Sequence, residues 1–440
     1  MTLHVPAHEF SLRRTAASIS RVPWRTGMLL FVLFAMANWS WDLNQRWNSS
    51  TADEVGAMVD NISEGQSLRQ IAFVGMLGYS ILALLAGPDR GVRLKWIIFY
   101  PVVLFVGWAF LSCAWSIDPP MAAKRLIVFA AMVGMTTVLL RQFDVKQIAE
   151  IALIATSFTL VVSVANELRL AAESFPGFGQ WRFGGMMHPN HTGLAAGVAV
   201  LASLYLRRFH RSRWILATLA LGVFALLTSK SRTALSAAMV GCTAYLLLSS
   251  RASRAAMVLM VAAWIGAALL WVSSVGDTVD VSRALTMGRE DVKNADLRKL
   301  TGRTDIWKFA VMQANKQPNR WPIGYGYETF WTPENVRGVS EFVKFKIPEG
   351  HNVYLDWYLE LGAVGVGLFG LIFLTALWRW TIAARRLASP SAAACAAVLF
   401  GAAIHGLAES SLGDASLPTL MLYATLAGAA LLRPDEETGV

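Results

Sequence analysis

The chain has 440 residues, of which 55% are hydrophobic and only 15% are charged. A soluble domain usually carries about 25% charged residues, so this composition excludes an ordinary soluble protein and indicates a membrane protein. The formal net charge is +10, but the basic residues lie in short clusters between apolar segments, which argues against nucleic-acid binding. We therefore expect membrane lipids as partners and no nucleic acid.

The first apolar segment, 26–42, follows a basic arm and passes through a sequence at 35–37 that would suit a signal peptidase. The apolar segment nevertheless continues through Trp39 and Trp41, and many further apolar segments follow it. We therefore predict an uncleaved first helix rather than a signal peptide.

Apolar segments of the length that crosses about 30 Å of hydrocarbon recur along almost the whole chain. They predict an all-α polytopic membrane protein with about twelve transmembrane helices. The predicted spans are 26–42, 70–88, 95–115, 122–140, 147–167, 191–206, 214–229, 232–249, 255–275, 353–379, 391–410 and 416–432.

Basic residues cluster in every second link between the predicted spans, and also in the N-terminal arm. The positive-inside rule places these links and both termini in the cytoplasm. The opposite face then carries one large loop. We divide the chain into nine spans over 1–275, an external loop domain containing helices over 276–352, and three spans with a cytoplasmic tail over 353–440.

Four polar segments fall on the external face, and the first is QWRFGGMMHPNHTG before the sixth span. The guanidinium group of Arg182 suits a phosphate, and Gly184 and Gly185 would let backbone N–H groups approach a ligand. We include His188 and Asn190 among the candidate substrate-binding residues, because a helix begins here and helix N-termini attract anions. The alternative is a loop with an interfacial arginine and a helix cap.

The second and third segments also carry basic residues on the external face, where the positive-inside rule disfavours them. Lys230 and Arg232 lie in LTSKSRTALS, between the seventh and eighth spans, and Arg303 lies in TGRTDIW, at the start of a helix predicted over 303–317. A cation in the first turn of a helix is disfavoured unless an anion shares the site. The three residues predict a phosphate-binding site, with snorkelling to lipid headgroups or a pair with Asp305 as alternatives.

The fourth segment is EGHNVYLDWYLELG, which leads into the tenth span. His351 stands at the helix start, and an imidazole that titrates near neutral pH is suited to activate a hydroxyl group. Asn352, Asp356 and Glu360 follow on one helix face. The alternative is an interfacial histidine cap, with the acids paired to arginines. Later in the chain, His405 and Glu409 are four residues apart, and they either pair structurally or help to shape the same cavity. We favour the structural role.

Several motifs are absent from the sequence. There is no D-x-D motif and no phosphate-binding G-x-x-x-x-G-K-[ST] loop, and the three cysteines lie far apart without a C-x-x-C pair. We therefore expect no metal and no cofactor. Basic groups without acidic metal ligands suit a substrate that already carries its pyrophosphate.

These segments together resemble the O-antigen ligase and polymerase superfamily of bacterial envelopes. The matching pieces are RFGGMMHPNHTG, TSKSRTAL, TGRTDIW, WPIGYGYETF and HNVYLDWYLELGAVGVGLF, in that order, and the resemblance covers roughly residues 70–430. It implies a glycosyltransferase of the C-type class in the bacterial inner membrane, with its active site at the periplasmic face. Such a ligase moves a glycan from undecaprenyl pyrophosphate to a sugar hydroxyl of lipid A–core oligosaccharide, without metal or nucleotide.

The resemblance also implies which residues act. The arginines of its S-R and G-R motifs correspond to Arg232 and Arg303, and the histidine of its H-N motif corresponds to His351. We expect the two arginines to hold the pyrophosphate and His351 to activate the acceptor hydroxyl in a single, inverting displacement. Tyr325 and Tyr327 are candidates for sugar stacking, with anchoring at the membrane interface as the favoured alternative. Arg182, Lys230 and Asn352 are candidates for substrate binding.

Two other functions remain open from the sequence. A polymerase would use the same donor with a second lipid-linked glycan as acceptor. A transporter or flippase would have a similar number of spans, but it predicts polar residues at the membrane midplane and internal repeats. The polar residues of this chain cluster at one face instead, which favours the enzyme.

Overall fold

The computed structural model describes residues 22–39, 66–86, 93–94, 96–173, 175, 177, 181–249, 303–343, 347, 349–411 and 413–432. These residues form an all-helical protein, as the sequence predicts, with one short antiparallel pairing of Arg93–Leu94 (β1) with Leu431–Leu432 (β2). In chain order the helices are α1 Val22–Asn38, α2 Ser67–Ala86, α3 Trp96–Leu111, α4 Pro119–Gln142, α5 Val145–Glu173, α6 Pro189–Leu206, α7 Arg213–Thr228, α8 Arg232–Ser249, α9 Arg303–Ala314, α10 Pro333–Val343, α11 Val353–Arg386, α12 Pro390–Gly406 and α13 Leu417–Gly428.

Six of the described helical segments are long and apolar enough to cross a membrane, so this is a membrane protein. They are Ser67–Ala86, Trp96–Trp115, Pro119–Gln142, Val145–Glu173, Arg232–Ser249 and Val353–Arg386. Helices also stand at five further predicted spans, some of them shorter. The ninth predicted span, 255–275, and residues 276–302 of the predicted loop lie outside the described residues. The count of twelve spans stays a prediction.

Helix starts are set by local sequence, and this places several polar residues at the same end of the bundle. Pro189 begins α6, where its missing N–H costs nothing, and His188 precedes it as the N-cap. Asn352 caps α11 with its side-chain oxygen, which accepts hydrogen bonds from the backbone N–H groups of Tyr354 and Leu355, both at 3.1 Å. The residues beside these caps are therefore held in fixed positions.

Small residues let α8 and α12 approach closely. A Cβ atom on Gly241 would lie 3.0 Å from the carbonyl oxygen of Ala397, and one on Gly401 would lie 3.0 Å from that of Ala237. Such contacts are typical of helix pairs in membranes, where packing rather than the hydrophobic effect drives association. An apolar cavity of about 160 Å³ lies along this pair and α6, with His405 among its lining residues.

The helices α9 and α10 form a small unit with its own apolar core, which packs on the first turns of α11. This core is made by Ile306, Phe309, Ala310, Ala314, Tyr325, Phe330, Trp331, Val336, Val339, Ile347 and Leu359. The sequence predicts a helix over 303–317, and the structure confirms it over Arg303–Ala314.

A kink in α11 anchors this unit to the bundle. Gly362 has φ = +68°, so the helix is interrupted there. The freed backbone groups bond the segment 321–326: the N–H of Ala363 donates to the carbonyl of Trp321 at 2.9 Å, and the N–H of Gly326 donates to the carbonyl of Glu360 at 2.9 Å. The kink therefore replaces helical hydrogen bonds by bonds that fix the unit.

Replacing Gly362 by alanine should destabilise the protein. A side chain at this φ costs about 1–2 kcal/mol, and its Cβ would also overlap the backbone of Pro322. Gly367 is the matched control in the same helix, because a Cβ there meets nothing within 4 Å. In thermal unfolding of the detergent-solubilised protein, we expect Gly362→Ala to lower Tm and Gly367→Ala to leave it unchanged or raise it slightly. Equal Tm values for the two variants would contradict this account of the kink.

Candidate active site

A single buried carboxylate, that of Glu409, joins three distant parts of the chain. Its Oε1 accepts hydrogen bonds from Arg303 and from Nδ2 of Asn190 at 2.7 Å, and its Oε2 lies 3.1 Å from Nδ1 of His351. The Glu409 side chain is only 3% exposed. The structure thus brings together Arg303, Asn190 and His351, three of the residues that the sequence predicts for the site.

Arg182 extends this network toward the turn that precedes α8. Its Nη2 donates to Oδ1 of Asn190 at 2.9 Å, and its Nε donates to the carbonyl oxygen of Ser229 at 3.1 Å. Lys230 and Arg232 follow Ser229 directly in the sequence, and Arg232 begins α8. The predicted basic residues of two separate segments therefore lie on neighbouring turns.

Two site residues occupy strained backbone positions. Lys230 and His351 both have φ = +50°, in the left-handed region that residues other than glycine seldom adopt. Such a position costs of order 1–3 kcal/mol and persists where the surroundings determine it strongly. Each of these residues lies two positions before the first residue of a helix, Arg232 or Val353.

Asp356 holds the turn that carries His351. Its Oδ1 accepts hydrogen bonds from the indole Nε1 of Trp331 at 2.8 Å and from the backbone N–H of Gly350 at 3.1 Å, while its Oδ2 accepts from the hydroxyl of Ser410. The alternative that Asp356 pairs with an arginine is therefore wrong. Its partners fix the residues on both sides of His351, because the Ser410 hydroxyl also accepts from the backbone N–H of Asn352.

The electrostatics of Glu409 determine the state of His351. Burial alone would raise the pKa of Glu409, but the hydrogen bond and charge of His351 and the charge of Arg303 hold that pKa well below its ordinary value. The carboxylate is thus ionised and can only accept, so Nδ1 of His351 donates to it. When the imidazole is neutral, this hydrogen bond leaves Nε2 of His351 as the nitrogen that can accept a proton.

Glu349 has a different role beside the same histidine. Its Oε1 lies 3.8 Å from Nδ1 of His351. Burial and the nearby charges of Asp414 and Asp356 raise the pKa of Glu349 well above its ordinary value. This carboxyl group therefore takes up a proton more readily than Glu409 and competes poorly for His351.

One group of side chains has the spacing of a metal site. Ligand atoms of Glu349, His351 and Glu409 all lie within 4.8 Å of one another. Carboxylate and imidazole groups are common ligands of divalent metals. The guanidinium group of Arg303 is already bound to the same Glu409 carboxylate, however, and it would repel a further cation. One oxygen of the Glu409 carboxylate is therefore already bound to a cationic group.

The loop before α6 differs from the sequence-based expectation. The backbone N–H groups of Gly184 and Gly185 do not point to a ligand. They donate to Oε1 of Glu167, at 3.2 and 3.0 Å, and the indole of Trp181 donates to its Oε2 at 3.0 Å. The sequence analysis missed Glu167, an isolated acid near the end of an apolar helix. No motif marks this residue, and only its burial in the structure reveals its role.

Two predicted substrate-binding residues serve as helix caps. Nδ1 of His188 accepts from the backbone N–H of Asn190 at 3.2 Å, and burial together with the charges of His191 and Arg182 lowers the pKa of His188 to about 3. Asn352 caps α11, and its Nδ2 donates to the carbonyl of Leu407 at 3.3 Å. These side chains shape the site, and their contact with substrate stays a prediction.

The two predicted sugar-stacking residues lie in the interior. Tyr325 is 7% exposed, and its hydroxyl donates to the carbonyl of Ala314 at 3.2 Å. Tyr327 is 4% exposed, and its ring packs against Phe129 with ring centroids 5.0 Å apart. In this conformation neither ring offers a face to a sugar, because both are covered by the core.

His405 and Glu409, which the sequence suggests to be structural, have separate roles. Glu409 is the centre of the site. His405 is fully buried, and neither ring nitrogen has a hydrogen-bond partner in the described part of the chain. The signal for Glu409 in the sequence is an acidic residue just after an apolar span, which is costly unless it has a partner.

Removing the Asp356 carboxylate should disrupt the turn of His351. Asp356→Ala leaves the N–H groups of Trp331 and Gly350 without their acceptor, at about 1–3 kcal/mol for each buried group. Asp356→Asn is the control, because its amide oxygen can still accept both bonds. We expect a clearly lower Tm for the alanine variant and a nearly normal Tm for the asparagine variant. Equal losses in both would show that the negative charge, not the acceptor geometry, matters.

The comparison with known proteins agrees with this geometry. Residues 217–370 match a family model described as O-antigen ligase, and this segment contains Lys230, Arg232, Arg303 and His351. No curated protein matches the chain. The match supports a glycosyltransferase-like membrane enzyme of the O-antigen ligase and polymerase type, acting in lipopolysaccharide assembly. Residues 217–370 are thus similar to the O-antigen ligase family, in a chain whose described helices include six that are long and apolar enough to span a membrane.

Proposed function

We propose that the protein transfers O-antigen glycan from undecaprenyl pyrophosphate to a sugar hydroxyl of lipid A–core oligosaccharide, at the periplasmic face of the inner membrane. The observation that carries the proposal is the network in which one buried carboxylate holds both Arg303 and His351. A cation for the leaving diphosphate and a base for the acceptor hydroxyl are thereby set side by side.

Arg303 and Arg232 are the residues we propose to hold the diphosphate, with Arg182 and Lys230 supporting them. Arg303 and Arg232 each begin a helix, where the backbone N–H groups add a partial positive charge. One guanidinium group can donate two parallel hydrogen bonds to the oxygens of a phosphate. Its positive charge also stabilises the negative charge that develops on the leaving group. This arrangement supports a reaction without metal, which the use of EDTA in the assay below tests.

His351 is the proposed general base. With Nδ1 bound to Glu409, Nε2 takes the proton of the acceptor hydroxyl. The hydroxyl oxygen then forms a bond to the anomeric carbon of the donor. The bond between that carbon and the diphosphate oxygen breaks, and the electron pair stays on the diphosphate. A single displacement of this kind inverts the anomeric centre.

A reconstituted reaction tests the function. Purified protein would be incubated with undecaprenyl-pyrophosphate-linked glycan and lipid A–core in the presence of EDTA, without nucleotide. We expect the core to shift in gel mobility. We expect His351→Gln to slow the reaction about 100-fold or more, since general bases contribute roughly 10²–10⁴-fold. His210→Gln is the matched control, because His210 pairs with Glu150 and lies outside the network.

The other outcomes of this assay are equally informative. Elongated donor without a shifted core would identify a polymerase and overturn the proposed acceptor. Activity that disappears with EDTA and returns with a divalent cation would overturn the proposed metal independence. A His351→Gln variant as active as wild type would remove His351 from the chemistry.

A further inference from the structure

In the proposed reaction, the Glu409 carboxylate and the diphosphate of the donor both require the positive charge of Arg303. The carboxylate is almost completely buried and is neutralised by Arg303. In the proposed function the same arginine holds the diphosphate of the donor. A diphosphate carries more negative charge than a carboxylate, so the two anions compete for one guanidinium group.

The exposed fractions of the two side chains indicate that Arg303, rather than Glu409, changes position when the donor binds. The side chain of Arg303 is 15% exposed, whereas that of Glu409 is 3% exposed. Asn190 and His351 also hold Glu409 in place, at 2.7 and 3.1 Å. An anion that approaches from outside therefore reaches the arginine first, and the arginine can turn toward it while the carboxylate stays.

We propose that Glu409 is a positioning residue, which gives up Arg303 to the diphosphate of the donor and then pairs with the imidazolium ion of His351. This inference rests on the proposed function. A buried carboxylate that loses its cation is costly unless another cation replaces it. The imidazolium ion formed when His351 takes the acceptor proton is that replacement, and it lies on the other carboxylate oxygen.

The charges balance through the reaction. Before the donor binds, Arg303 neutralises Glu409. After the donor binds, Arg303 neutralises part of the diphosphate, and the proton that leaves the acceptor hydroxyl for Nε2 of His351 neutralises Glu409. The electron pair of the broken glycosidic bond stays on the diphosphate, beside Arg303. The Glu409 carboxylate thus exchanges Arg303 for the imidazolium ion of His351 as its cationic partner in the course of the reaction.

Glu349 provides a matched control for this role. It approaches the same nitrogen of His351, at 3.8 Å, but among the residues that the structure describes it makes no ion pair with Arg303. A change at Glu349 alters the surroundings of the histidine without releasing the arginine. A Glu349 variant therefore distinguishes an effect that acts through Arg303 from the effect of removing any negative charge near His351.

Binding of inorganic pyrophosphate in EDTA, measured by titration calorimetry on the full chain, tests the competition. We expect Glu409→Gln to bind pyrophosphate about five-fold more tightly than wild type, because the Glu409 carboxylate no longer competes for Arg303. We expect the same variant to ligate about 100-fold more slowly, because His351 has lost its carboxylate. Glu349→Gln should leave the affinity for pyrophosphate within about two-fold of wild type, against the couplings of five-fold or more typical of linked sites.

The opposite result would overturn the coupling. If Glu409→Gln binds pyrophosphate more weakly, Glu409 serves to orient Arg303 rather than to compete for it. Glu409→Asp gives a second reading if the glutamine variant does not fold. Its shorter side chain loosens the hold on Arg303, so tighter binding supports the proposal and equal or weaker binding contradicts it. Wild-type protein that does not bind pyrophosphate would instead contradict the proposed donor site itself.

Discussion

The end of the helical bundle that carries the candidate active site depends on one constraint, the burial of the charged Glu409 carboxylate. An ionised carboxylate removed from water is very costly unless cations and hydrogen-bond donors surround it. Arg303, Asn190 and His351 satisfy this requirement, and each comes from a different part of the chain. The need to neutralise one acid therefore determines how the starts of α6, α9 and α11 meet.

A helix kink and a set of hydrogen bonds fix the backbone around the contacts of Glu409. The kink at Gly362 turns helical hydrogen bonds toward the segment 321–326, so the unit of α9 and α10 is fixed to α11. Asp356 then holds Gly350 and Ser410 on the two sides of His351. Because these bonds determine the backbone on both sides, the strained φ of His351 is maintained.

The sequence predicts the helical membrane fold well, because length and apolar composition decide which segments cross a membrane. It also singles out Arg303 and His351 as candidates, and the structure brings these two residues together at Glu409. It could not reveal the role of Glu409, whose partners lie 58, 106 and 219 residues away. Contacts across such separations also explain why Tyr325 and Tyr327 prove to be buried, because side-chain direction depends on packing that no local pattern encodes.

The same carboxylate explains why arginines suit this site. A ligase of the proposed kind creates negative charge on a leaving diphosphate at the moment when it releases a proton from the acceptor. An arginine keeps its charge throughout, so it can only change partners. A histidine can gain charge, so it can replace the arginine at Glu409. Arg303 is always charged and His351 is charged only when protonated, and both bind the Glu409 carboxylate. The site can therefore neutralise the charges that arise during the reaction without taking up ions from solution.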